Sequence, residues 1–278
     1  MKNKEKSKTK KRRARINKKR RSRSKYSKRG GVTPEETLVE AVKIGNIVLL
    51  ERSLRQNANV DTTDPESDYT PLMIAVDNGN ARITEILLEN GADVNASDDP
   101  TGKTSLMIAC AKRYTLLVNV LLSHGADKSM KNNDGQTALA VLLAFEPPGN
   151  VILADNIGKR LRIIHSLSEN GNNELDVNIP DNEGYTPLMT ILVTRQSSPY
   201  IHEAEAIVEL LINLGADITM TNIDGTRAYD IAVSRNHSDD ILAMLQTQEM
   251  REQMMNIPVP MMNSEEYEKC DKNEGQVY

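Results

Sequence analysis

Four histidines, two cysteines and 39 carboxylates are what this 278-residue chain brings to chemistry. A metal centre needs ligands a few residues apart or gathered by the fold. His124, His165, His202 and His237 are dispersed, and none has metal-ligand spacing to another histidine or to a cysteine. Cys110 and Cys270 are too few for a disulfide framework or a cysteine-based zinc site. There is no glycine-rich phosphate loop, no nucleophile elbow and no paired-carboxylate pattern. These residue types predict no catalytic residue, no metal and no cofactor, and hence no enzyme. Cys110 reads as a buried apolar thiol, and His124, just before Gly125, as a helix C-terminal cap.

The charges point elsewhere. Residues 1–29 hold 17 Lys and Arg against one acid, Glu5, a net +16. Taking 17 from 35 leaves 18 basic residues, and taking 1 from 39 leaves 38 acidic ones, so the remainder carries −20. Two dense clusters, Lys10, Lys11, Arg12, Arg13, Arg15 and then Lys18, Lys19, Arg20, Arg21, Arg23, flank Ile16-Asn17. A tail with so little apolar content and so much self-repulsion is expected to be disordered. Its basic runs fit an import signal, a phosphate-binding arm or a solubilising tail. Tyr26 is its sole aromatic, so any nucleic-acid contact would be non-specific and salt-sensitive. The longest apolar run, near Ala138 to Phe145, is too short to span a membrane. The basic start lacks the apolar segment of a secretory signal. The expectation is an intracellular protein, nuclear rather than cytoplasmic.

The elements that carry these residues are set by one stretch, Asp68 to Ser97. Thr70 can cap a helix and Pro71 suits its first turn, where no amide donor is needed. Leu72, Ile74, Ala75 and Val76 supply an apolar face, and Gly79 can take the left-handed conformation that ends the helix. Asn80 can cap a second helix with the face Ile83, Ile86, Leu87 and Leu88, ended by Gly91. The stretch recurs: Thr70-Pro71-Leu72-Met73 becomes Thr104-Ser105-Leu106-Met107, then Thr137-Ala138-Leu139-Ala140, Thr186-Pro187-Leu188-Met189 and Thr226-Arg227-Ala228-Tyr229. Gly91-Ala92-Asp93 returns as Gly125-Ala126-Asp127 and Gly215-Ala216-Asp217, and Gly45-Asn46 marks a degenerate first copy. Thr70 to Thr104 is 34 residues, and Thr104 to Thr137 is 33.

This period and the Thr-Pro-Leu-x-x-Ala pattern resemble the ankyrin repeat. The resemblance runs from about Thr33 to Gln246. It departs at the signature histidine, replaced by Met73, Met107, Ala140, Met189 and Tyr229, and at the first-helix glycine, replaced by Arg113, Arg195 and Arg235. It implies an all-α solenoid of about six helix-turn-helix units over 33–246, divided near 34–67, 68–101, 102–134, 135–183, 184–224 and 225–246. The basic tail is 1–32, and an acidic, Met-rich tail, also expected to be disordered, is 247–278. Residues 246–255 could prolong the last helix. The fourth unit carries 13 extra residues between its helices, around Glu146-Pro147-Pro148-Gly149, and three more in Asn172 to Leu175. The fifth carries eight, around Ser197-Ser198-Pro199-Tyr200.

The family implies a non-catalytic protein-interaction scaffold, expected to be a monomer, with a protein partner of unknown identity. An import receptor or non-specific nucleic acid would engage the tail. Partner binding is implied at the repeat tips and first helices. Along the chain these are Asp68, Tyr69, Asp98, Asp99 and Lys103, then Asn132, Asp134 and Gln136, then Asp181, Glu183 and Tyr185, and last Asn222, Asp224 and Arg227. Asn95, in a Leu-spacer-Asp-Val-Asn context, resembles a site of asparagine hydroxylation in this family.

Overall fold

The computed structural model describes residues 32–144, 154–171, 174–194 and 201–246, with 154–157 and 201–202 described by backbone alone. The basic clusters, the Pro-Pro and Ser-Pro insertions, Arg195 and the stretch 247–278 lie outside these residues.

Twelve helices are present among the described residues, in six antiparallel pairs. They are α1 (Pro34–Ile44) and α2 (Ile47–Arg55), α3 (Pro71–Asp77) and α4 (Ala81–Glu89), α5 (Ser105–Lys112) and α6 (Thr115–Ser123), α7 (Ala138–Ala144) and α8 (Ala154–Glu169), α9 (Pro187–Thr194) and α10 (Ile201–Asn213), α11 (Ala228–Ser234) and α12 (Asp239–Leu245). First helices stack in the series α1, α3, α5, α7, α9, α11. Second helices stack behind them, α4 on α6 on α8 and α10 on α12. The core follows the repeat: Leu38, Leu72, Leu106, Leu139 and Leu188 stand in one column, each at most 1% exposed. Removing such a side chain from water stabilises by about 1.5–3 kcal/mol.

Local chemistry explains the starts and stops. Thr70 Oγ1 accepts the Met73 amide and Asn80 Oδ1 accepts the Ile83 amide. Thr33 and Glu36 form a reciprocal capping box at α1. Arg113 takes the left-handed conformation usually left to glycine, at φ 58°, at a cost of roughly 1 kcal/mol.

The sixth unit is one residue out of the register read from the sequence. Arg227, not Thr226, stands at the cap of α11, and Asp230 accepts its amide at 3.0 Å. From Gly125 to Thr137 is 12 residues, as is Gly215 to Arg227. The signature position is therefore Asp230 rather than Tyr229, and the left-handed residue is Asn236 (φ 54°) rather than Arg235 (φ −99°). Asparagine tolerates that conformation better than arginine, so the turn is reshaped around it.

The insertions are not all loop. Helix α8 has 16 residues and α10 has 13, where α4 has nine. All three end at equivalent positions, two residues beyond Leu167, Leu211 and Leu87. Seven of the 13 inserted residues in the fourth unit, and four of the eight in the fifth, thus extend the second helix at its N-terminal end.

Candidate partner-binding surface

Each repeat tip is a turn held by one polar side chain, buried in all but Asp181, which is half-buried. Asp98 accepts the Thr101 hydroxyl, the Thr101 amide and the Lys103 amide, the last at 2.6 Å. Asn132 Oδ1 accepts the amides of Asp134 and Gln136. Asp181 does the same for Glu183 and Tyr185, and Asn222 for Asp224 and Thr226. The sequence pattern places Asp98, Asn132 and Asn222 on the solvent face; the structure corrects this, since they are 4%, 6% and 6% exposed. Their oxygens are aimed into the turn, where orphan backbone amides need acceptors. The acidic residues left exposed at the tips are Asp99, Asp134, Glu183 and Asp224. Asp68, at φ 63°, occupies the place a glycine takes in later tips, and Asp64 braces that turn.

Behind the tips, Tyr69, Lys103, Gln136, Tyr185 and Thr226 stand at equivalent half-buried positions before each cap. Burial, with Asp77 and Asp98 nearby, raises the Tyr69 phenol above its ordinary value, and Lys112 partly opposes this. Lys112 reaches from α5 to the Asp77 carboxylate of the preceding unit at 2.9 Å. Its own pKa is raised, first by that hydrogen bond. Arg227 is drawn into pairing with Asp230 at 3.2 Å. The predicted residues thus lie in or beside the tips, though four of them, Asp98, Asn132, Asp181 and Asn222, serve the turns.

Asn95 is not a free turn residue. Its Nδ2 donates to Gly125 O at 3.3 Å and its Oδ1 accepts the Asp127 amide at 2.8 Å, tying the second unit to the third. Asn178 makes the same pair of bonds to Gly215 and Asp217. His124 caps α6 as expected, Nδ1 lying 2.8 Å from Val120 O. Cys110 is fully buried, and burial pushes its thiol up to about 12.

Three buried charges were not legible as such. Lys128, 3% exposed, donates to Leu167 O and Asn170 O at 2.9 Å, placing a cation on the carbonyl end of α8. Burial lowers its pKa. Arg160 and Glu203, 0% and 2% exposed, approach to 3.8 Å in the added turns of α8 and α10. An apolar neighbour set marks no such charge in advance. Among the described residues no group of acids, histidines and cysteines could hold a metal ion, and no helix is long and apolar enough to cross a membrane.

The family model for ankyrin repeats, in three copies, matches residues 38–132. No curated protein matches the chain at a significant level. Among solved structures, an ankyrin repeat domain from Acinetobacter baumannii AYE is 26% identical with a TM-score of 0.62, over 75% of this chain and 95% of that one. The ankyrin repeat protein EF0377 is 25% identical with a TM-score of 0.63, over 76% and 96%. A chain from the complex of the Bdellovibrio bacteriovorus predatory endopeptidase Bd0816 with immunity protein Bd3460 shares the fold at 22% identity and a TM-score of 0.54, over 76% and 96%. Such arrays are generally protein–protein interaction modules. Residues 38–132 thus carry ankyrin repeats, and the fold as far as Leu245 is similar to that of ankyrin repeat domains.

Proposed function

We propose that the chain is a non-catalytic scaffold that binds a protein partner along its tips and first helices. The observation that carries this is the outward row of Asp99, Asp134, Glu183 and Asp224 on turns whose backbones are already fully braced. A preordered turn loses little freedom on binding, so its contacts are not spent on ordering. Acids repeated at each tip favour a partner with a basic or amide-rich ridge. The test is affinity capture on the full-length chain and on a variant with Asp99, Asp134, Glu183 and Asp224 changed to Lys. Loss of the captured partner with an unchanged melting temperature is the expected result. Equal capture by both would move the site elsewhere.

The tail gives this scaffold its address in our reading: its +16 charge fits an import receptor, and the chain then works in the nucleus. Deleting residues 2–29 from a fluorescent fusion is expected to abolish nuclear enrichment. The same charge supports a second reading, in which the tail grips nucleic-acid phosphates while the repeats recruit a protein. Binding of bulk RNA that falls steeply with salt and disappears with the tail would favour it. Asn95 is proposed as a hydroxylation substrate only after local opening of its two inter-unit bonds. A mass increase of one oxygen on co-expression with an asparaginyl hydroxylase is the readout.

A further inference from the structure

The glycine-bearing tips are joined to one another across unit boundaries. The Asn133 amide donates to Thr101 O at 2.9 Å, the Asn182 amide to Asp134 O at 3.0 Å and the Ile223 amide to Glu183 O at 3.1 Å. Side chains repeat the pattern: Asn133 Nδ2 donates to Pro100 O and Asn182 Nδ2 to Asn133 O. The seating is close. A Cβ on Gly102, Gly135 or Gly184 would meet the following tip at 2.9, 2.5 and 2.9 Å. Gly225 has the same left-handed backbone, φ 77°, in a turn braced the same way. Yet nothing lies within 4 Å of the place of its Cβ. Among the described residues no amide donates to Asp224 O, and Ile223 beside it is 73% exposed. The ladder ends on a seat shaped for one more tip.

The chain holds one more tip sequence. Residues 271–276 read Asp-Lys-Asn-Glu-Gly-Gln. Asn273-Glu274-Gly275 repeats Asn182-Glu183-Gly184, and Gly275-Gln276 repeats Gly135-Gln136. Asp271 stands four residues before its glycine, as Asp98 does before Gly102. No Gly-Ala-Asp precedes it as one precedes the tips at Asp98, Asn132 and Asn222. From Gly225 to Gly275 is 50 residues, against 49 from Gly135 to Gly184. From Gln246 to Asn273 is 27 residues, a tether that can extend to roughly 90 Å. A tether of this kind holds its end at about millimolar effective concentration.

We propose that residues 271–276 dock in cis on the Gly225 tip as a detached seventh tip. Asn273 N–H then donates to Asp224 O and its Nδ2 to Ile223 O, continuing both rows of the ladder. A filled seat also denies the end of the solenoid to a second copy, whose own tip could otherwise add head to tail.

Amide hydrogen exchange of the full-length chain tests this at Asn273. Docking predicts exchange at least about tenfold slower than in a synthetic 268–278 peptide, since a hydrogen-bonded amide exchanges only on opening. The protection should persist on dilution. It should vanish in Gly225→Ala, which puts a methyl into the seat, and in Asn273→Pro, which removes the donor and leaves the seat intact. Exchange equal to that of the free peptide would overturn the proposal. So would protection that fades on dilution, which would mean a second copy supplies the segment. Protection surviving in both variants would also overturn it, because the segment would then be held elsewhere. Unchanged exchange over 184–222 in Gly225→Ala shows that the repeat itself remains folded.

Discussion

Between Thr70 and Gly125 the second helices are nine residues long and bury Ile83, Leu87, Leu117, Val118 and Leu121. Between Thr137 and Gly215 they are 16 and 13 residues long, and beside Ile163, Leu167 and Ile207 they bury Arg160 and Glu203. The tips differ in parallel. Asn133 and Asn182 donate to the tip before them, but Pro100, at the equivalent place in the third unit, has no amide to give. The regular half is therefore held by apolar layers, by Asn95 and by the part-exposed Lys112–Asp77 pair. The irregular half adds a buried ion pair, Lys128 and a ladder of tip hydrogen bonds. Where period is lost, polar bonds fix the register instead, because a hydrogen bond specifies position and an apolar contact does not.

The sharpest way to break the contrast is to damage each half by its own means. Leu72→Asp puts a carboxylate into a layer with no partner for it and should cost about 5 kcal/mol, enough to unfold a marginal array. A thermal melt unchanged from the parent would contradict the layer model. Glu203→Ala removes a buried carboxylate that faces the buried Arg160 guanidinium and should cost about 3–5 kcal/mol. Replacing both, Arg160→Met with Glu203→Leu, should come within about 1 kcal/mol of the parent, since apolar packing recovers the cost of dehydrating two charges. If the double variant is as unstable as the single one, the pair holds the added helical turns in place beyond its mutual attraction.

A smaller effect sharpens the comparison at the boundary. Asn95→Ala removes one donor and one acceptor between the second and third units, beside the Asn133–Thr101 rung. The expected loss is about 1–3 kcal/mol. Asn178→Ala removes the same two bonds beside the Glu183–Ile223 rung and should cost about as much. Urea midpoints for the two variants decide this; clearly unequal losses would mean that these bonds weigh differently in the regular and the irregular half.

The fold was legible because a repeat states the same fact several times. Thr70, Thr104, Thr137 and Thr186 each announce a cap, and one misread copy does not hide the series. The sixth copy was misread by one residue because Thr226 looks like a cap, while the true cap, Arg227, works through its amide and Asp230. The insertions showed their length but not their shape: helix length depends on which core the added turns find, and the sequence does not show that Arg160 and Glu203 meet. The tips were located correctly, but Asp98 and Asp99 are the same residue type side by side. Only the turn's geometry turns the first inward, to amides that lack acceptors, and the second out to solvent.

The smallest effect concerns the first tip, which an ion pair braces. Asp64, 3% exposed, accepts the Ser67 hydroxyl and amide and the Lys43 ammonium, the last at 3.0 Å. Burial pushes its carboxyl up, but the hydrogen bonds from Lys43 and Ser67 outweigh this, and it sits below the ordinary value of 3.8. The Asp64 hydrogen bond holds Lys43 above its ordinary 10.5 against the opposing effect of burial. An acid whose folded pKa is depressed stabilises above its unfolded value, and that share is lost as pH falls through the folded pKa. A lysine whose folded pKa is raised stabilises below its unfolded value and loses that share as pH rises through the folded pKa. The pair therefore acts between about pH 4 and pH 10. Asp64→Asn keeps the shape of the turn and should cost about 1 kcal/mol in that window, since Lys43 is part-exposed and water screens it. The gap between parent and variant should close below pH 3.8 as Asp64 itself becomes protonated. A gap that stays constant down to pH 2 would show that the turn needs the oxygen atoms of Asp64 but not its charge. The first tip would then be braced by neutral hydrogen bonds, as Asn132 and Asn222 brace the later ones.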